Sequence, residues 1–250
     1  MRRYWRCCVS LYKRIGVILP STNTTVESDF FKMSPDGVTV HFHRILRKSG
    51  LIGDYEIQEE MNQGIDEAAT MLASLHPDVI AYACTGGSVL KGIGYDRELI
   101  TRIETASGVP GVTTASAVVE ALHSVGARKI SIATPYGDDE NDRIQRFLSN
   151  SGFTVLNIEG DPSTANKEVS ETSEESSLSV KNFAKSVCRS EADVLFCACT
   201  AWRSLEIVTE LEAELSKPVL TANQVTMWSA LRTVNMLQSQ SGFGTLLTSV

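Results

Sequence analysis

Two cysteines stand in matching surroundings: Cys84 in Ala83-Cys-Thr-Gly-Gly-Ser88, and Cys199 in Ala198-Cys-Thr-Ala-Trp202. Each ends an apolar, β-branched run and each is followed by a threonine, Thr85 or Thr200. A thiolate at such a place is a nucleophile and a proton carrier. The turn Thr85-Gly86-Gly87-Ser88 offers it backbone N–H groups and hydroxyls that favour an anion. A lone cysteine at a strand end is more often a small buried residue; a pair at equivalent places points to chemistry. Short polar groups gather nearby. Ser21, Asn23 and Thr24 in Leu19-Pro-Ser-Thr-Asn-Thr-Thr-Val-Glu27 suit carboxylate or carbonyl oxygens. Thr24-x-x-Glu27 also fits a helix capping box. Tyr136, in Thr134-Pro-Tyr136, is either a phenol that donates to a substrate oxygen or a packed turn tyrosine.

Other chemistries find less support. His41 and His43 share a strand face, but no third ligand follows at a recognisable spacing, so no metal site is expected. Cys197-x-Cys199 resembles a redox pair, yet alternate strand residues face the same way and Cys197 reads as core. No Gly-x-Gly-x-x-Gly or phosphate-loop pattern occurs. Asp138, Asp139 and Glu140 read as acids favouring a helix N-terminus. A net charge of −7 argues against a phosphate-binding surface and against nucleic acid as a partner. No 18-residue apolar stretch suggests a membrane span. Free thiols and the lack of a signal-peptide pattern suggest the cytoplasm.

The elements that must position these residues alternate. Strands are expected at Arg14–Leu19, Val38–Ile45, Val79–Ala83, Gly111–Thr113, Lys129–Thr134, Thr154–Ile158, Val194–Ala198 and Pro218–Thr221. Helical periodicity falls between them, most clearly over Tyr55–His76, and also over Glu174–Arg189, Trp202–Leu215 and Val225–Leu237. That alternation predicts an α/β fold with a mainly parallel sheet. It is also a duplication. One offset of 115 residues relates Pro20 to Pro135, Asp78 to Asp193 and Cys84 to Cys199. Pro110-Gly-Val-Thr113 and Pro218-Val-Leu-Thr221 form a third pair. The expected organisation is an N-terminal extension (1–13), a first half (14–125) carrying Cys84 and a second half (126–250) carrying Cys199, with the final helix free to pack on the first. The basic extension reads as disordered or as a transit peptide. The Ser/Thr/Glu-rich stretch Asp161–Ser179 reads as a polar loop, with Thr172-x-x-Glu175 as a capping box.

Together Pro20-Ser-Thr-Asn-Thr-Thr-Val-Glu27, Tyr82-Ala-Cys-Thr-Gly-Gly-Ser88, Thr134-Pro-Tyr136 and Ala198-Cys-Thr200 carry a resemblance. From Lys13 onward the chain resembles the maleate cis–trans isomerases of the aspartate/glutamate racemase superfamily, which also holds the arylmalonate decarboxylases. The resemblance implies two pseudo-symmetric flavodoxin-like halves, no cofactor, and a small dicarboxylate held in the cleft between them. It implies that Cys84 adds to the alkene and Cys199 handles a proton. It places substrate contacts at Ser21, Asn23, Thr85, Gly86, Tyr136, Thr200 and Ala201, and at Asn166 as the match to a further asparagine. The decarboxylases carry glycine at the first cysteine, which Cys84 contradicts. Two-cysteine amino-acid or hydantoin racemases keep both and are the alternative reading. A non-catalytic small-anion binding protein or a thiol redox protein are alternatives of another class. A homo-oligomer stays open.

Overall fold

Strands paired on both sides and covered by helices on both faces must be apolar along their whole length. The computed structural model describes residues 12–164 and 167–248, and its strands follow that rule. They are β1 (Lys13–Pro20), β2 (Val38–Ile45), β3 (Val79–Tyr82), β4 (Gly111–Thr113), β5 (Lys129–Thr134), β6 (Thr154–Gly160), β7 (Val194–Cys197) and β8 (Val219–Thr221). Central β3 and β7 are buried throughout, whereas edge strands β2 and β6 keep exposed positions. Both sheets are wholly parallel, in the orders β2-β1-β3-β4 and β6-β5-β7-β8. Among the described residues no helix is long and apolar enough to cross a membrane.

In each sheet the direction of growth reverses between the first strand and the third. The crevice at the carboxyl ends of such a reversal is where open α/β sheets take ligands. Ser21–Asn23 and Cys84 follow β1 and β3; Tyr136 and Cys199 follow β5 and β7. Topology thus brings the residues with chemistry to two equivalent crevices.

The other duplicated residues have structural duties. Asp78 accepts from Lys13 Nζ at 2.7 Å and the Arg14 amide at 2.9 Å, while Asp193 accepts from the Arg128 and Lys129 amides, both at 2.8 Å. Each aspartate ties the start of the central strand to its neighbour. Thr113 and Thr221 cap the helices Thr114–Ser124 and Ala222–Thr233 through capping boxes with Ser116 and Gln224. Such a cap is worth about 1 kcal/mol. These two helices pack on each other, joined by a 2.9 Å hydrogen bond between Thr114 and Thr226 hydroxyls. Ala222 to Leu231 are buried on every side, against β3 and β4 of the first half as well as β8. One hydrophobic cluster consequently runs from Ile15 to Leu247 through both halves.

Four local expectations are corrected. The periodic segment Tyr55–His76 is two helices, Tyr55–Asn62 and Ile65–Ala73. Gln63 and Gly64 donate to carbonyls three residues back, and Gly64 lies against Ile45 of β2. The first helix starts at Val26, not after a Thr24 cap; Asn23 Oδ1 takes the amides of Thr25 and Val26 at 2.9 and 3.0 Å. Thr172 lies inside the helix Val169–Ser173, whose capping box is Glu168 with Glu171; the following helix starts only at Ser177. Trp202 does not begin a helix: it is fully buried behind the Cys199 loop, its Nε1 donating to Glu175 at 2.9 Å, and helical structure resumes at Leu205.

Candidate active site

Cys84 follows β3 and is the N-cap of the short helix Thr85–Val89, so its sulfur points at free amides. Gly87 N–H donates to Cys84 Sγ at 3.4 Å, and Ser88 Oγ donates to the Cys84 carbonyl at 2.7 Å. Glycine is required at position 86, where a Cβ would overlap the Glu140 carboxylate and the Gln58 amide. Cys199 follows the equivalent strand, β7. Its sulfur accepts from Ala201 N–H at 3.3 Å and from the Tyr136 hydroxyl. Both cysteines are buried, 8% and 4% exposed. Burial pushes the Cys84 thiol up to about 11, against the pull of the Gly87 amide and the Tyr82 hydroxyl. It pushes Cys199 to about 12, against Tyr136 and the Ala201 amide. The sequence predicts a turn that holds a thiolate. The donors are there, but removal from water outweighs them, and both sulfurs are thiols at neutral pH.

Asn23, 1% exposed, spans the halves. With Oδ1 committed to backbone amides, its Nδ2 donates to Thr200 Oγ1 at 3.2 Å. Thr25 Oγ1 donates to the Ala201 carbonyl at 2.9 Å, and Asn223 Nδ2 to the Thr200 carbonyl at 3.0 Å. The Cys199 loop is therefore fastened to the first half by side chains of the segment after β1. Burial raises the Tyr136 phenol well above its ordinary range, which keeps it a donor.

These groups line one cavity of about 30 Å³, walled by Asn23, Arg47, Ile52, Gly53, Gln58, Met61, Cys84 and Gly86 of the first half and by Tyr136, Val169, Cys199, Thr200 and Ala201 of the second. That volume is near one water's share, so a larger ligand requires the walls to part. The roof is a strap between the halves: Ile52 N–H donates to the Lys167 carbonyl at 3.0 Å, and Leu51 bridges Glu168.

Of the residues expected at the site, Cys84, Cys199, Asn23, Gly86, Tyr136, Thr200 and Ala201 share this cavity. Ser21 and Thr85 stand outside its lining. Ser21 Oγ accepts from the Arg47 amide at 3.0 Å, and Thr85 Oγ1 is buried without a partner. Asn166 lies outside the described residues. His41 bonds Thr39 at 3.0 Å, and among the described residues no His/Cys/Asp/Glu cluster could hold a metal.

Two charged residues at the site escape the sequence reading. Arg47, just past the end of β2, is buried in the cavity wall; a base directly after a strand's carboxyl end is the available signal. Glu140 reads in sequence as a solvated helix-start acid. Asp138 and Asp139 are exposed as expected, but Glu140 is 2% exposed. Its two oxygens accept from Gln58 Nε2 at 3.2 and 3.0 Å, and Arg143 lies 3.6 Å away. Burial raises it to about 7, against Arg143, Gln58 and Arg47. An ion pair that fails to offset its own desolvation is common in interiors.

Comparison with known proteins agrees with this geometry. The chain is 28% identical over 252 residues to a maleate isomerase of Pseudomonas putida, covering 94% of this chain and 97% of that protein. It is 25% identical over 241 residues to the arylmalonate decarboxylase of Bordetella bronchiseptica, covering 93% and 95%. Among solved structures, the Nocardia farcinica maleate cis–trans isomerase with a covalently bound succinylcysteine intermediate has a TM-score of 0.88 at 25% identity, covering 96% of this chain and 99% of that one. The crystal structure of a Pseudomonas putida maleate isomerase with maleate has a TM-score of 0.87 at 23% identity, covering 95% and 98%, and supports the fold. With the family model for arylmalonate decarboxylase matched over residues 15–247, the chain belongs to that family.

Proposed function

We propose that the chain is a cofactor-independent maleate cis–trans isomerase. The observation that carries the reading is the meeting of Cys84 and Cys199, from equivalent strand ends, on one buried cavity with donors from both halves. A cis diacid is interconverted with its trans form only if its double bond becomes temporarily single. The Cys84 S–H proton passes to a carboxylate of the substrate as the sulfur adds to one alkene carbon, and it returns to the sulfur when Cys84 is expelled. The C–S bond forms, and the displaced electron pair rests on the next carbon and spreads into its carboxylate. Asn23 Nδ2, the Tyr136 hydroxyl and the Ala201 amide are the donors suited to that charge. Cys199, held as a thiol, supplies an S–H beside the carbanion. Rotation about the single bond, return of the electron pair and expulsion of Cys84 give fumarate with no net redox change. The succinylcysteine intermediate of the Nocardia farcinica relative supports cysteine addition. Raised thiol pKa values leave the cost of making the nucleophile to the addition step itself, in which the proton leaves as the C–S bond forms. Both thiols must stay reduced, as in the cytoplasm.

Arylmalonate decarboxylation is a second reading, favoured by the family model. Cys84 stands where the resembling decarboxylases have glycine and argues against it. Proton NMR of the purified chain with maleate, then with an arylmalonate, aspartate, glutamate and a hydantoin, separates the readings. Growth of fumarate from maleate is expected. An unchanged maleate signal with carbon dioxide loss from the arylmalonate, or α-proton exchange of an amino acid or hydantoin, overturns the isomerase.

A further inference from the structure

Arg47 lines this cavity and differs from the cations of the neighbouring pockets in one respect. Arg44 pairs with Glu27 at 2.9 Å, Lys48 with Glu60 at 2.6 Å and Arg143 with Glu140 at 3.6 Å. Arg47 pairs with no carboxylate among the described residues, although it is only 6% exposed and lines the cavity beside Cys84. Its Nη1 donates to the Lys48 and Gly50 carbonyls at 3.1 and 3.3 Å, and its Nη2 to the Leu51 carbonyl at 2.7 Å. A guanidinium has five N–H donors. Nε and one hydrogen of Nη2 are therefore left without an acceptor among the described residues; the three carbonyls bring no counter-charge, and Glu140, whose charged form Arg47 favours, lies beyond ion-pair distance. A buried cation so placed is costly unless something anionic meets it.

We propose that Arg47 binds one carboxylate of the substrate directly and makes the site select dianions over monoanions. This rests on the isomerase reading for the identity of the reaction. The neutral donors Asn23, Tyr136 and Ala201 gather with Cys199 and Thr200, and Arg47 sits on the Cys84 side with Ile52 and Gly53. A four-carbon diacid spanning the two cysteines presents one carboxylate to each group. The carboxylate on Arg47 is charged throughout the reaction, so this contact acts on KM and the neutral donors act on kcat. The competing role for Arg47 is a staple for its own loop, through the same three carbonyls.

Calorimetric titration of the full chain with succinate and with butyrate, which share four carbons and differ in one carboxylate, separates the two roles. Wild type is expected to bind succinate about tenfold to a hundredfold more tightly, the range for hydrogen bonds to a charged group. Arg47→Met is expected to remove the preference while still binding butyrate, and Arg47→Lys, which keeps the charge, to retain most of it. Arg47→Met that weakens both ligands equally and keeps their ratio identifies a loop staple and overturns the proposal. Should Arg47→Met fail to fold, equal affinities in wild type overturn it alone. Binding is read without turnover. A chain that discriminates through Arg47 and leaves maleate unchanged keeps this assignment and loses the isomerase reading.

Discussion

Glu140 gives stability a pH dependence that Glu140→Gln should abolish. The carboxylate is raised from 4.5 to about 7 by burial between the halves. A raised acid is neutral in both states below about pH 4.5, where it costs nothing. Between that pH and 7 the unfolded chain ionises while the folded chain holds the proton, so folding loses stability as pH rises. One pKa unit corresponds to about 1.36 kcal/mol, so the accumulated loss approaches ~3 kcal/mol by pH 7, about 2 kcal/mol of it above pH 5.5. Glutamine keeps a polar contact to Gln58 but does not ionise. It also strands Arg143, which retains its 2.7 Å bond to the Gly53 carbonyl and carries an unpartnered Nε. That cost shifts the variant by a constant, so the test is the slope, not the offset. Asp29, raised to about 6 mainly by burial, titrates in both proteins and cancels from their difference. Urea unfolding of both proteins at several pH values from 5.5 to 8 should show the variant gaining about 2 kcal/mol on wild type, or roughly 4–8 °C in Tm for a chain of this size. A difference that stays flat across this range would refute the account of Glu140 as a carboxylate held at high pKa by burial.

Other outcomes follow from the same geometry. Cys84→Ala and Cys199→Ala should each lower kcat by about a thousandfold or more, some 4 kcal/mol of barrier, while Cys188→Ser leaves it near wild type; steady-state kinetics with circular dichroism as a folding control decide. Tyr136→Phe should lower kcat by on the order of a hundredfold to a thousandfold through loss of one donor to developing charge. Asn23→Ala should do the same and also lower stability by about 1 kcal/mol, because its Oδ1 caps the helix at Val26. Gly86→Ala should destabilise by roughly 1–3 kcal/mol through overpacking against Glu140, and Glu140→Ala in the same chain should recover part of that in a double-mutant cycle.

Much of this fold is legible in the chain because its information is local or repeated. Apolar runs such as Val79–Ala83 declare central parallel strands, and the common offset from Pro20, Asp78 and Cys84 by itself places both cysteines at equivalent crevices. What escapes depends on the two halves meeting. Arg47 and Glu140 look like solvated charges because nothing near them in sequence announces burial; Glu140 is met by Gln58 of the first half, and Arg47 lines the cavity to which both halves contribute. The thiol pKa values escape for the same reason: the amides beside each sulfur are local, but the desolvation that outweighs them is tertiary. Gln63 and Gly64 divide a segment whose apolar periodicity runs through them unbroken, by turning to carbonyls three residues back.

The claim on which the rest depends is that Cys84 bonds to the substrate. Acid quenching of the wild-type chain during maleate turnover, followed by peptide-resolved mass spectrometry, tests it directly, with the Cys199→Ser variant run alongside to slow breakdown of an adduct on Cys84. The mass of one maleic acid is expected on the peptide carrying Cys84, with none added at Cys188, Cys197 or Cys199. Fumarate formed while Cys84 stays unmodified and the adduct sits on Cys199 would contradict it.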